Sequence, residues 1–226
     1  MMISNESSAN VQLSAHAGGS DNMRVSKNNF TGYVLAGGNS SRMKTDKAFL
    51  QIGGETFLTR AARTLAEVCA GKVKIVLNQN QTAPQNYECV RDIFTERGAL
   101  GGIHAALCNC RSDWAIILAV DLPFVTSEAI ENLQNIALAS NEFSAIVPKQ
   151  IDGRLQPLCA AYRVKDCLPK IEEFLRKESS NAVKDFFALL PTRFIEPNEL
   201  TTDLAQNLFF NVNCPSDFQQ LVSTHK

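Results

Sequence analysis

The strongest constraint on this fold is an apolar run at residues 114–120, which contains no charged side chain. Such continuous runs are typical of strands buried on both faces of a sheet. Residues 31–36 and Val73–Leu77 are also largely apolar, although the second contains Lys74. Amphipathic helical patterns such as residues 55–69 separate the strands. Strands that alternate with helices predict an α/β domain with a mostly parallel central sheet covered on both faces.

Polar residues follow three of these strands directly. Asn78 follows the strand at Val73–Leu77, Asp92 follows a short third strand, and Asp121 follows the 114–120 run. Ligands of open α/β sheets bind at the carboxyl ends of the strands, so we expect these side chains to converge there. Asp121 could hold Mg²⁺, which takes one or two carboxylates plus substrate phosphates. A simple turn cap before Pro123 is the structural alternative for Asp121, and an ordinary polar loop is the alternative for Asn78.

A loop rich in glycine and hydroxyl residues follows the first strand. Gly37 and Gly38 allow a tight turn and close approach of another group to the backbone. Backbone N–H groups together with Arg42 and Lys47 suit a polyphosphate ester. The alternative is a glycine turn followed by a solvated, charged helix. The coincidence of a strand, a hydroxyl-rich turn and two cations favours phosphate binding.

Composition argues against several other classes of protein. The 226 residues carry a net charge of −1, so no global field favours nucleic acid or an acidic membrane. Residues 1–29 are predicted to be a disordered leader before a single domain at residues 30–226.

Seven cysteines, an odd number, predict reduced thiols in a cytoplasmic protein. The pair Cys108 and Cys110 lacks the second pair or nearby histidines that zinc would need, and His104 is predicted to be a packing residue.

Common nucleotide-binding and hydrolase motifs are absent from the sequence. It contains no P-loop, no Gly-x-Gly-x-x-Gly fingerprint and no Gly-x-Ser-x-Gly elbow. The chemistry that remains is one in which the protein positions its substrates and neutralises their charge. Phosphoryl or nucleotidyl transfer needs little else from a protein. In that chemistry Asp121 would hold Mg²⁺, while Lys47 and Arg42 would stabilise charge on the α-phosphate and the leaving pyrophosphate.

Residues 35–50 resemble the signature loop of the molybdenum cofactor guanylyltransferases, the MobA family. Their sequence is Leu-Ala-Gly-Gly-Asn-Ser-Ser-Arg-Met-Lys-Thr-Asp-Lys-Ala-Phe-Leu. Further similarities follow in the family's order: Val-Leu-Asn at 76–78, Arg-Asp at 91–92, Gly-Ala-Leu-Gly-Gly at 98–102, Val-Asp-Leu-Pro-Phe at 120–124 and Asn-Val-Asn-Cys-Pro at 211–215. Two departures are Lys44 and Ala99, which stand where the family often has Gly and Pro.

The resemblance implies a Rossmann-like, three-layer fold of the glycosyltransferase-A type. It implies transfer of GMP from GTP to molybdopterin, with Mg²⁺ and release of pyrophosphate. The residues that would contact GTP are Leu35, Ala36, Gly37, Gly38, Lys47, Asn78, Asp92 and Asp121. Asp121 would also bind the metal. The residues on the pterin side would be Gln156, Pro157, Asn211 and Asn213. Molybdoenzyme apoproteins or their chaperones are possible protein partners.

Two alternatives stay open at this level. A cytidylyltransferase or adenylyltransferase acting on the same pterin, or on another small phosphate, would share the glycine loop, the lysine and the acid. A non-catalytic cofactor-delivery or binding module belongs to a different class. The presence of both Lys47 and Asp121 argues against such a module.

Overall fold

A computed structural model of the chain describes residues 29–37, 47–177, 181–201, 207–212 and 217–218. The strands in this part of the chain are β1 Phe30–Leu35, β2 Gln51–Ile52, β3 Glu55–Thr56, β4 Val73–Leu77, β5 Glu88–Arg91, β6 Trp114–Ala119, β7 Ala145–Pro148, β8 Cys159–Arg163 and β9 Thr192–Ile195. The α-helices are α1 Phe57–Val68, α2 Ala99–Asn109, α3 Ser127–Ala139, α4 Val164–Lys177 and α5 Val183–Phe187.

Seven strands form one sheet in the order β5-β4-β1-β6-β8-β7-β9, and β2 pairs with β3 in a separate hairpin. Every neighbouring pair in the large sheet is parallel except those made by β8, which is antiparallel to β6 and β7. No helix separates β7 from β8, and a turn bridged by Lys149 and Leu155 reverses the chain there. Parallel neighbours need a long crossover, whereas this short connection permits an antiparallel pair. The predicted mostly parallel sheet is therefore confirmed, with β8 as its exception.

The fold has three layers because the central strands bury side chains on both faces. Trp114, Ile116 and Leu118 of β6 pack into the apolar cluster that contains α1 and α3. Ala115 and Ile117 point to the opposite cluster, which contains α2, α4 and α5. All six residues of β6 are buried, as the apolar run predicts.

The starts of the helices reflect local capping. In the sequence, Thr126 before the apolar pattern of residues 128–138 predicts a helix cap. The structure confirms it, because the Thr126 hydroxyl accepts a hydrogen bond from the N–H of Ala129 at 3.2 Å, at the start of α3. The glycines of residues 98–102 predict a second glycine loop before a helix at Ile103, and this prediction is wrong. Helix α2 begins at Ala99, so only Gly98, with φ of 55°, lies outside it.

Two further boundaries differ from the sequence pattern. The apolar residues Cys89, Val90 and Ile93 predict a third strand that reaches Ile93, but Ile93 lies beyond β5 and is 66% exposed. The sequence pattern predicts a helix over residues 171–177, but α4 begins at Val164. Cys167, Ile171 and Leu175 share one buried face at four-residue spacing. Within the described residues, no helix combines the length and apolar character needed to cross a membrane.

Candidate active site

The register of the parallel strands brings the predicted polar residues to one edge. Leu35 is aligned with Val76 of β4 on one side and with Ala119 of β6 on the other. Leu77 is aligned with Arg91 of β5. The residues that follow these positions therefore leave the sheet side by side.

A cavity of about 300 Å³ lies at this carboxyl edge. Seven of the predicted GTP-contact residues line it: Leu35, Ala36, Gly37, Lys47, Asn78, Asp92 and Asp121. The other lining residues are Val76, Gly98, Ala99, Gly102, Ala119, Val120 and Leu158. Of the residues given a role from sequence, Gly38, Arg42 and Asn213 lie outside the described residues.

Lys47 and Asp121, which both line the cavity, form an ion pair. Lys47 begins a 3₁₀ turn, Lys47–Phe49, and its Nζ donates to Asp121 Oδ2 at 3.5 Å. Their side chains are 16% and 21% exposed. Burial raises the pKa of Asp121 above its ordinary value, and the Lys47 ammonium offsets part of that rise. Because the pKa stays raised, Lys47 only partly compensates for burying this carboxylate.

Asp92 is held by a hydrogen bond from the segment after β5 and is packed against the first turn of α2. Its Oδ1 accepts a hydrogen bond from the N–H of Phe94 at 2.7 Å, and the residue is only 4% exposed. Burial raises the pKa of Asp92, while the hydrogen bond from Phe94 lowers it. A Cβ at Gly101 would lie 2.6 Å and 2.7 Å from the two carboxylate oxygens. Gly101 therefore lets the first turn of α2 pack directly on Asp92.

Asn78 lines the cavity next to Asp92 and packs against Gly37. A Cβ at Gly37 would lie 2.6 Å from Asn78 Oδ1, so this contact requires glycine. The N–H of Asn78 donates to Gln81 Oε1 at 2.9 Å, and Gln81 Nε2 donates to the carbonyl of Ala36 at 3.1 Å. The Gln81 side chain thus ties the end of β4 to the end of β1.

The loop after β4 is also held by Arg91, which the sequence analysis did not identify. Its Nη1 donates to the carbonyls of Asn78 at 2.7 Å and Gln81 at 2.6 Å. Gln79 Nε2 donates to the carbonyl of Asp92 at 2.8 Å. Two of the glutamine side chains in this loop therefore bind backbone groups, and Asn78 is the amide residue that lines the cavity.

Gln156 and Pro157, which are predicted for the pterin side, directly precede the lining residue Leu158 but do not line the cavity themselves. Gln156 is buried, and the carbonyl of Pro157 accepts a hydrogen bond from the Tyr162 hydroxyl at 2.8 Å. Leu158 is the member of this segment that lines the cavity. Their role in binding the pterin stays a prediction.

Asn211 lies beside the site because the next residue, Val212, is hydrogen-bonded to Asp121. The N–H of Val212 donates to the backbone carbonyl of Asp121 at 3.0 Å. Asn211 Oδ1 is buried and has no hydrogen-bond partner among the described residues. A buried acceptor of this kind is costly unless a ligand or water satisfies it.

Comparison with known proteins identifies the family of this chain. The MobA-like NTP transferase domain matches residues 32–191. The chain belongs to this family. A relative from Pelotomaculum thermopropionicum, named "Probable molybdenum cofactor guanylyltransferase", is 34% identical over 189 residues, which cover 83% of this chain and 89% of the relative. The molybdenum cofactor guanylyltransferase of Desulfosudis oleivorans is 31% identical over 194 residues, covering 84% and 93% of the two chains.

A solved structure has the same fold as this chain. The molybdopterin-guanine dinucleotide biosynthesis protein A of Archaeoglobus fulgidus superposes with a TM-score of 0.70 at 20% identity, and covers 86% of this chain and 97% of its own. The predicted family and the predicted nucleotidyltransferase fold are thus both confirmed. The match to the family also makes this chain a member of a class of nucleotide-transferring enzymes.

Proposed function

We propose that this chain transfers GMP from GTP to molybdopterin, forming the guanine dinucleotide form of the molybdenum cofactor and releasing pyrophosphate. The observation that carries the proposal is the pairing of Lys47 with Asp121 in a cavity at the carboxyl edge of β1 and β6. The names of two relatives that are more than 30% identical to this chain supply the base and the acceptor.

The residues at this edge fit a magnesium ion. Mg²⁺ is usually held by one or two carboxylates together with substrate phosphates and water. Asp121 would hold it, since this carboxylate is largely buried and Lys47 only partly compensates for its charge. When bound with GTP, the ion would neutralise charge on the phosphates.

The protein's own groups would position the reactants. A terminal phosphate oxygen of molybdopterin attacks the α-phosphorus of GTP, so a new P–O bond forms while the bond to the β-phosphate oxygen breaks and pyrophosphate leaves. The Lys47 ammonium stabilises the charge that develops on the phosphates. Asn78 and Asp92 offer polar groups to the base and ribose, and the backbone at Ala36 and Gly37 lies against the nucleotide.

We place the reaction in the cytoplasm. The cysteines that the structure describes are all free thiols, which is typical of proteins in a reducing compartment. The product would pass to molybdoenzyme apoproteins or to their chaperones.

The test is to measure pyrophosphate release from GTP, CTP and ATP separately, with and without molybdopterin. We expect release that requires molybdopterin and Mg²⁺ and that is fastest with GTP. Preference for CTP or ATP would identify a different nucleotidyltransferase, and no release with any nucleotide would favour a binding module. Either result refutes the proposal.

The variant Asp121→Asn tests the assigned residue, and Asp113→Asn is its matched control. Asp113 lies just before β6, at the opposite end of that strand. Losing one group that stabilises transition-state charge typically lowers the rate about 10²-fold or more. We expect a loss of that size for Asp121→Asn and none for Asp113→Asn. Equal activity of the two variants would remove Asp121 from the mechanism.

A further inference from the structure

Three side chains able to bind a metal lie together on the surface between α2 and α4. They are His104 and Cys108 of α2 and Glu172 of α4, and one ligand atom from each lies within 4.8 Å of the other two. His104 and Cys108 are four residues apart and therefore share one helix face. The Sγ of Cys108 lies 3.2 Å from Nε2 of His104.

The His104 ring is held in place by its neighbours, and the cluster is accessible to solvent. His104 is buried, and burial lowers its pKa below the ordinary value. The ring packs edge-on against Phe94, with centroids 4.9 Å apart, which limits its rotation. Cys108 is exposed and Glu172 is half-buried, so solvent reaches the cluster from the outside.

We propose that His104, Cys108 and Glu172 form a zinc site that ties α2 to α4. Typical Zn–S and Zn–N bonds of about 2.3 Å and 2.0 Å place the two ligand atoms about 3.5 Å apart in a tetrahedral site. The observed separation of Sγ and Nε2 is already 3.2 Å. A set of one nitrogen, one sulfur and one oxygen suits Zn²⁺ and is unlike the all-oxygen set that Mg²⁺ prefers. Three protein ligands leave a fourth position for water.

An exposed ion pair is the main competitor for Glu172. Arg176 Nη2 contacts Glu172 Oε2 at 3.4 Å, one turn further along α4. The Arg176 side chain is 71% exposed, and pairs of this kind contribute little to stability. A divalent ion held by two further ligands would therefore outcompete Arg176.

A nucleophilic cysteine is the other chemistry that a cysteine next to a histidine suggests. Such cysteines have a depressed pKa, which gives the reactive thiolate. Here burial and the nearby Glu172 carboxylate raise the pKa of Cys108 instead. A bound cation reverses this effect because a coordinating thiol loses its proton. Cys108 therefore lacks the depressed pKa of a nucleophilic cysteine, and the support for a metal ligand is the placement of the three side chains together.

The test uses Co²⁺ as a spectroscopic probe for Zn²⁺ in the full chain, without nucleotide. We expect one equivalent of Co²⁺ to bind, with a near-ultraviolet thiolate-to-cobalt band that Zn²⁺ abolishes on displacement. Cys108→Ser should lose the band, whereas Cys89→Ser, which changes a cysteine on β5, should keep it. Absence of the band from the wild-type chain, or its survival in Cys108→Ser, would overturn the proposal.

Glutamate variants separate coordination from general surface charge. Glu173 is adjacent to Glu172 but pairs with Lys177 at 2.7 Å on another part of the helix surface. Glu172→Gln should weaken Zn²⁺ binding by at least the roughly 10- to 100-fold that loss of an outer partner of a ligand costs. Glu173→Gln should bind as the wild type does. Equal affinities in these two variants would remove Glu172 from the site and refute the three-ligand proposal.

Discussion

Gly101→Ala is expected to disturb the fold and the site through one added methyl group. The new Cβ would lie 2.5 Å from the carbonyl oxygen of Phe94 and 2.6 Å from Asp92 Oδ2. Neither oxygen can easily withdraw. The Phe94 carbonyl accepts a hydrogen bond from the N–H of Arg97 at 2.8 Å, and Asp92 Oδ1 accepts one from Phe94 at 2.7 Å. The first turn of α2 must therefore move away from the end of β5.

Two opposing contributions set the size of the effect. Overpacking a well-packed interior costs roughly 1–3 kcal/mol, and contact with two fixed oxygens places this variant near the upper end, at about 3 kcal/mol. Alanine is favoured over glycine inside a helix by about 1 kcal/mol. The net loss in the free energy of unfolding is then about 2 kcal/mol. For a chain of this size that corresponds to a fall of about 4–8 °C in Tm.

Gly102→Ala is the matched control, because it changes the next residue of the same helix. Its Cβ would meet only the Leu35 side chain, at 2.8 Å and 3.3 Å, and the end of a leucine can rotate away. We expect its free energy of unfolding in urea to stay within about 1 kcal/mol of the wild type, since a small packing cost and the gain in helix propensity oppose each other. If Gly101→Ala proves as stable as Gly102→Ala, the proposed packing of α2 on Asp92 is wrong.

Two further predictions concern ionisation and capping near the site. Because burial raises the pKa of Asp92, its ionised form destabilises the folded chain at neutral pH, and this penalty disappears as the pH falls through the folded-state pKa. Asp92→Asn should therefore unfold at higher urea than the wild type at neutral pH, with a difference that shrinks in acid; a difference independent of pH would contradict this. Thr126→Ala removes the 3.2 Å cap of α3 and should cost about 1 kcal/mol, while the rate of nucleotidyl transfer stays unchanged. A large loss of rate without a loss of stability would show that Thr126 acts in the site.

The convergence of the site residues was predictable because it depends on topology. Period and composition identify β1, β4, β5 and β6, and parallel pairing then brings Asn78, Asp92 and Asp121 to one edge. No side-chain contact is needed for that argument. The antiparallel direction of β8 was harder to predict from the sequence, since it depends on whether a short connection reverses the chain.

The glycines at the start of α2 show why a local pattern can mislead. Gly98, Gly101 and Gly102 suggest a loop when only backbone freedom is considered. In the fold, Gly101 and Gly102 are helical, and they are small because Asp92 and Leu35 occupy the space that a Cβ would need. Close approach between distant parts of the chain is not visible in a local sequence pattern.

Contacts between elements could not be predicted from the sequence either. Arg91 holds the loop after β4 through backbone carbonyls, which leave no sequence signature. His104 was predicted to be a packing residue, and Cys108 was considered together with Cys110. The structure instead places Cys108 next to His104 one turn earlier, with Glu172 supplied by a different helix.

The electrostatics of the cavity explain why its edge is better understood as a binding site than as a set of polar loop ends. Asp92 and Asp121 follow separate strands, and burial raises the pKa of both. An ionised carboxylate buried without full compensation opposes folding. Lys47 compensates for one of them only in part, at a distance of 3.5 Å. Ligand groups that supply positive charge or hydrogen-bond donors, such as a metal ion and the ribose of a nucleotide, would offset this cost in the bound state.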